Sequence, residues 1–179
     1  MLIGEPLALD LINTRPLDTD LIATPDLLRR WLDLEADRLP GFDGVLSEDD
    51  VTAVRGVRDH ASAAVHALLS GERPGEAALR GLNDAQRAAP AVRELSWDGA
   101  ALTATEVRTG PPGVRLAAAL AEAAADLLGD QASGRIRQCE AHDCVMLFLP
   151  AHPRRRWCAA ALCGNRARVA RHYRRHRTV

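Results

Sequence analysis

The 179-residue chain is predicted to be α+β and mainly helical, with a helical N-terminal domain that carries a β-hairpin and a small hairpin-plus-helix unit behind it. Composition and charge support this division. Hydrophobic residues make up 47% of the chain, but 32 of them are Ala and 25 are Leu, against 11 Val and 4 Ile, which favours helix over extensive sheet. Charge splits along the chain: residues 1–134 carry a net −10, whereas residues 135–179 carry 11 Arg against Glu140 and Asp143, a net +9. The length suits one compact domain with an appendage. All 23 basic residues are Arg, which by itself identifies no partner.

The segment Leu7–Thr14 has apolar residues at both strand and helix spacings, so its type is open; Arg15-Pro16 stops it, because a residue before proline is pushed out of the helical region. Thr24-Pro25-Asp26 reads as a capped helix start that brings Leu27, Leu28, Trp31, Leu32 and Leu34 to one side, with a stop before Pro40-Gly41. Ser47-Glu48-Asp49-Asp50 is a capping box, and Val51, Val54, Val57, Arg58, Ala61, Val65 and Leu68 continue at spacings of three and four. That helix should run to about Leu69 and close at Gly71. Pro74-Gly75 opens a second helix through Ala78, Leu79, Leu82 and Ala85, so the pair should form an antiparallel helical hairpin.

Residues 91–97 and 101–107 alternate in character around Asp98-Gly99, a turn signal that permits positive φ, and predict a β-hairpin. Trp31 and Trp97 are expected to anchor the core. After Pro111-Pro112-Gly113, Leu116, Leu120, Ala123 and Leu127 mark an Ala-rich amphipathic helix ending at Gly129. Turn residues and the charge change coincide between Gly129 and Gly134, so the domains are expected at 1–130 and 134–179.

All four cysteines fall within 25 residues, in two pairs with the same four-residue spacer: Cys139/Cys144 and Cys158/Cys163. In a reducing compartment, paired cysteines are more often metal ligands than disulfides, and four thiolates in a tetrahedron suit Zn²⁺. A disulfide framework, or replacement of one cysteine by His142 or His152, is the alternative. A closed four-thiolate shell leaves no open position for water, so the zinc should be structural. Residues 145–149 read as a short strand with 154–157 as its partner, and a helix should begin between Ala159 and Gly164.

Cys163-Gly164-Asn165-Arg166, with Trp157-Cys158 before it and an Arg-rich helix after it, resembles the CGNR zinc finger over residues 138–176. The upstream Leu9-Asp10-Leu11-Ile12-Asn13-Thr14 and the helical middle resemble the ABATE domain that commonly precedes this finger. The resemblance implies a stress-induced transcription regulator whose finger binds DNA and whose N-terminal domain has a sensory role, and it makes Trp157, Gly164, Asn165 and Arg166 structural motif residues.

The charge pattern points the same way on its own terms. At 100° per residue, Arg168, Arg171, Arg174 and Arg175 lie within one 120° sector of the last helix, with Val169 and Tyr173 opposite as a packing side. Arg154, Arg155 and Arg156 add a second cationic patch, and DNA phosphates are the expected partner of both. Arg166 projects toward the packing side and is expected to hydrogen-bond or ion-pair internally, and Asn165 is expected to share that structural role. His172 and His176, one turn apart, are surface or phosphate-contacting residues on this reading. The lack of aromatics interleaved among the arginines favours duplex DNA over single-stranded nucleic acid.

Asp10, Asn13, Thr14 and Arg15 set polar groups beside an apolar run. They read either as an effector pocket for an unidentified small molecule or as capping and turn hydrogen bonds. No phosphate-binding loop, nucleophile elbow, metalloprotease helix or glycine fingerprint is present, so no enzyme activity is expected. Neither a secretory leader nor an apolar run of membrane-spanning length is found, and a cytoplasmic protein with no membrane partner is expected. Two rival readings keep the structural zinc: a protein-interaction module in which the basic finger docks on an acidic domain, and a small-molecule receptor with an accessory finger. Oligomeric state is not legible in this pattern.

Overall fold

The computed structural model describes residues 3–39, 42 and 44–176, with side chains left aside at 171, 172 and 174–176. The segment of open type is a short helix, α1 (Leu7–Ile12), buried along nearly its whole length. A stretch this short is not stable as a helix by itself. Burial of Leu9 and Leu11 on opposite sides decides its form.

Helix α2 (Pro25–Leu34) is capped by Thr24, whose side chain accepts from the Leu27 N–H at 3.3 Å, and it buries Leu28, Trp31 and Leu32. The helix ends at Leu34 with Glu35 as its cap, before Pro40-Gly41 as expected. Helix α3 (Glu48–Leu69) carries the complete Ser47–Asp50 capping box. Asp50 has a second role: its Oδ1 accepts from Gly113 N at 2.7 Å, joining the start of α3 to that of the helix beginning at Pro112. A Cβ on Gly113 would meet the Asp50 backbone at 2.5 Å, so only glycine permits the approach.

Helix α4 (Glu76–Ala88) returns antiparallel to α3, and α5 (Pro112–Gly129) packs on both, with its small Ala117, Ala118, Ala121 and Ala124 buried. These three helices, flanked by α1 and α2, enclose the main core. On α5 the buried residue is Ala124 where Ala123 was expected.

Strands β1 (Val92–Trp97) and β2 (Leu102–Val107) form the expected antiparallel hairpin, registered from Val92↔Val107 to Trp97↔Leu102. One expectation is corrected here. Trp31 is fully buried, but Trp97 is 63% exposed, because the turn end of the hairpin stands clear of the helices.

A 3₁₀ turn (Gln131–Arg135) leads into the C-terminal unit, whose hairpin also differs from expectation. Strand β4 (Leu147–Phe148) pairs with β3 (Arg137–Gln138) and not with residues 154–157. The physical reason is that Arg155 turns inward, leaving Glu140 N to Arg156 O, at 3.0 Å, as the backbone bond from 154–157 to this loop. A π-helical turn (Ala160–Gly164) then runs into α6 (Asn165–His176). No helix of the described residues is long and apolar enough to cross a membrane.

Below the core surface, Arg58 of α3 is 1% exposed and forms a two-pronged pair with Asp20, both bonds at 2.7 Å. Hydrogen bonding to Arg58 is the largest cause holding the Asp20 carboxyl below its ordinary 3.8, outweighing burial. The pair therefore stabilises the fold above the ordinary carboxylate range, and that contribution disappears as pH falls through the depressed value. We expect Asp20→Ala to cost about 3 kcal/mol, because it leaves a buried guanidinium with only the exposed Asp59, at 3.7 Å, as counter-charge; urea unfolding of the zinc-loaded chain at neutral pH checks this.

Candidate metal centre

The two cysteine pairs arrive on different kinds of backbone. Cys139 and Cys144 sit in the loop between β3 and β4, where Asp143 adopts a positive φ of 59° to turn the chain. Cys139 N donates to Met146 O at 2.9 Å and Cys144 N to Ala141 O at 3.1 Å, which closes the loop as a knuckle. Cys158 precedes the π-helical turn and Cys163 lies in it, with Cys163 N donating to Ala159 O at 2.9 Å.

All four Sγ atoms lie within 4.8 Å of one another, and none is in a disulfide. Three of the separations are 3.6 Å for Cys158–Cys163, 3.7 Å for Cys163–Cys144 and 3.9 Å for Cys144–Cys158. A zinc tetrahedron with Zn–S of roughly 2.3 Å has edges of about 3.8 Å, so the sulfurs already stand where one ion would hold them. The donor set and the spacing fit zinc. His142 is exposed and bonded to Asp143 at 2.5 Å, and His152 Nδ1 accepts from Arg154 N at 3.1 Å; neither joins the thiol cluster.

Burial pushes the Cys158 thiol far up, with the neighbouring Cys163 thiol adding to it, and burial likewise raises Cys144. For Cys139 burial acts upward too, but backbone N–H groups of Ala141 and Cys158 aim at its sulfur and bring it below the usual thiol value. Arg166 donates to Cys163 Sγ at 3.5 Å, a cationic donor on a shell whose four thiolates outweigh the charge of one divalent ion. Asn165 Nδ2 donates to Ala161 O at 2.8 Å, bracing the start of α6. Gly164 is buried, and Trp157 is half-buried with the Arg156 guanidinium over its ring at 5.4 Å.

The chain belongs to the ABATE family. That family's model, described as "Putative stress-induced transcription regulator", matches residues 5–131, and the CGNR zinc finger model matches residues 135–176. No curated protein matches the chain at significance. The zinc of this ABATE protein is structural, held by Cys139, Cys144, Cys158 and Cys163.

Polar residues at the two ends of α1 join the two units. Asn13 Nδ2 donates to Leu147 O at 2.9 Å and its Oδ1 accepts from Leu147 N at 2.8 Å, so one amide side chain pairs with β4 as a neighbouring strand would. Buried Glu5 accepts from Leu149 N at 2.9 Å and from Arg155 at 2.5 Å. Arg155 also donates to Cys158 O at 2.6 Å and lies over the Phe148 ring at 4.5 Å. Asp10 accepts from Gly4 N, Glu5 N and Arg38, while Thr14 donates to Leu11 O and accepts from Arg58. Burial holds Asp10 above its ordinary carboxylate value despite Arg38 beside it.

Of the four residues read as a pocket, Asn13 and Arg15 line a cleft of about 450 Å³ with Ser62, His66 and Met146; Asp10 and Thr14 face elsewhere. Of the arginines read as phosphate contacts, Arg154 and Arg168 are exposed, Arg156 is exposed and paired with Glu140 at 2.5 Å, and Arg155 faces the interior. The side chains of Arg171, Arg174 and Arg175 lie outside those described, as do those of His172 and His176. The expected packing side of α6 is corrected: Val169 and Tyr173 are exposed, because α6 leaves the cysteine cluster without lying on another helix of the described residues. Sequence reasoning missed Glu5 and the inward turn of Arg155, since neither has a local signal beyond an acid near the start of the chain and one arginine among three.

Purified protein should contain one zinc per chain by elemental analysis. Because the ligand thiols must lose protons on binding, apparent zinc affinity should fall steeply as pH drops below neutral in a chromophoric chelator competition. Glu5→Gln, which removes the carboxylate facing Arg155, should lower stability by about 3–5 kcal/mol in denaturant unfolding while leaving the zinc content at one.

Proposed function

We propose that this ABATE protein is a cytoplasmic, non-catalytic, zinc-dependent transcription regulator acting in a stress response, with the finger binding duplex DNA through arginines and the N-terminal domain as the regulatory part. The observation that carries the reading is the position of α6. Its first turn is tied to the cysteine cluster through Cys163 and Arg166, and from there the helix leaves the acidic domain with Arg168 exposed on it. A cationic rod fixed at one end by a metal is suited to lie along a polyanion. The net +9 of residues 135–179 supports the same partner.

The finger does dock on the acidic domain, as the protein-interaction reading supposes, but through β4 and Arg155, a surface that leaves α6 free of that contact. The docked finger and a DNA-facing helix are therefore compatible in one molecule. Arg155 belongs to the docking surface; Arg154, Arg156 and Arg168 are exposed, and together with Arg171, Arg174 and Arg175, which the sequence spacing sets in one sector with Arg168, they are the proposed phosphate contacts. The cleft beside Asn13 and Arg15 lies against the loop that carries Met146, so a small-molecule effector there would touch both units.

If about five arginines neutralise phosphates, log K should fall with log salt at a slope near −4.5, and Arg171→Ala/Arg175→Ala should flatten that slope by about 1.8. Fluorescence anisotropy on a DNA duplex across a salt series measures both. Unchanged affinity in the double variant would refute the assignment.

A further inference from the structure

We propose that the β1–β2 hairpin is a self-association surface, through which two copies of this chain join β1 to β1 in an antiparallel, four-stranded sheet. This does not rest on DNA binding. The hairpin meets the helical domain at its base, where Glu106 and Val107 border a cleft with Arg115 and Ala119, and all but one of its twelve residues are exposed. One of its faces nevertheless carries an apolar patch: Leu95, Trp97, Leu102 and Ala104 share it, with the Arg93–Glu106 pair at its far end and with Leu95 73% and Leu102 69% exposed. An isolated two-stranded hairpin is marginal in water, and an open edge without proline or bulge is a template for another strand. The register from Val92↔Val107 to Trp97↔Leu102 runs without interruption.

The occupant follows from the edge itself. Asp98 N donates to Ala101 O at 3.2 Å, so the ladder alternation leaves the N–H and C=O groups of Arg93, Leu95 and Trp97 pointing away from β2. A second β1 placed antiparallel about Leu95 sets Leu95 against Leu95 and Arg93 against Trp97 twice over. All of these are outward-pointing residues, so the backbone groups meet as hydrogen-bonded pairs. On the shared face each copy's guanidinium then lies opposite the other's indole, a cation–π pairing. The edge of β2 offers no such match: centred on Ala104 it would set Leu102 against Glu106 twice. The β1 edge pairs each of its three outward residues with a complementary one.

Sedimentation equilibrium of the full zinc-loaded chain tests this. At tens of micromolar the wild type should behave as a dimer of the 19.3 kDa chain. Trp97→Glu should be monomeric, Trp97→Phe should stay dimeric, and Arg93→Glu should weaken the dimer by about tenfold. Thr105→Lys, on the other face of the hairpin, should leave it intact. Helicity and zinc content should not change in any variant, since none of these side chains enters the core. A monomeric wild type, or a dimer that survives Trp97→Glu or dissociates with Thr105→Lys, would overturn the proposal and assign the face to a different partner.

Discussion

A strand of two residues holds the molecule together. Side chains alternate sides along a strand, so Leu147 and Phe148 of β4 must point opposite ways. Leu147 enters the core of the helical domain and Phe148 enters the core around the cysteines, and both are fully buried. The Asn13 amide satisfies both backbone groups of Leu147 at that boundary. Without that amide the Leu147 N–H and C=O would be buried without partners, at a cost of about 1–3 kcal/mol each. The short helix α1 places Asn13 there, and α1 is itself held by burial against α3 and α5. Metal centre and helical core are thereby parts of one structure.

Charge is used differently on the two sides of this boundary. In the helical domain, Asp20 with Arg58, and Asp10 and Glu35 with Arg38, bury ionic groups whose value lies in fixing which elements meet. Such pairs add little net stability over apolar replacements but are costly to break singly. In the C-terminal unit, Arg155 follows that internal logic through Glu5, while Arg154, its neighbour in sequence, is exposed. One basic run therefore holds both a structural and a surface arginine. Mean charge alone does not distinguish them.

Local signals explain most of the elements. Thr24 and the Ser47–Asp50 box mark helix starts because a capping side chain satisfies N–H groups that the helix cannot, and Asp98-Gly99 marks the hairpin because its turn needs positive φ. Ala-rich α5 was legible because small residues at helical spacing permit close packing. The partner of β4 was not legible: a two-residue strand has no periodicity, and its pairing with Arg137–Gln138 depends on Arg155 occupying the alternative side. Trp97 misled for a related reason. An indole in an alternating strand gives no sign of whether its face meets a core or open solvent.

By itself, the amino-acid order determined the mainly helical class, the capped helices and the β1–β2 hairpin, the two cysteine pairs as one metal site and the concentration of arginine behind it, because each of these depends on nearest neighbours or on spacing along the chain. Tertiary structure alone decided that Asn13 and Glu5 bind the metal-bearing unit, that Arg155 faces inward, and that Leu95, Trp97 and Leu102 of the β1–β2 hairpin and Val169 of α6 are exposed. Those outcomes depend on residues as much as 150 positions apart meeting in space, as Glu5 and Arg155 do, and no local pattern encodes such a meeting.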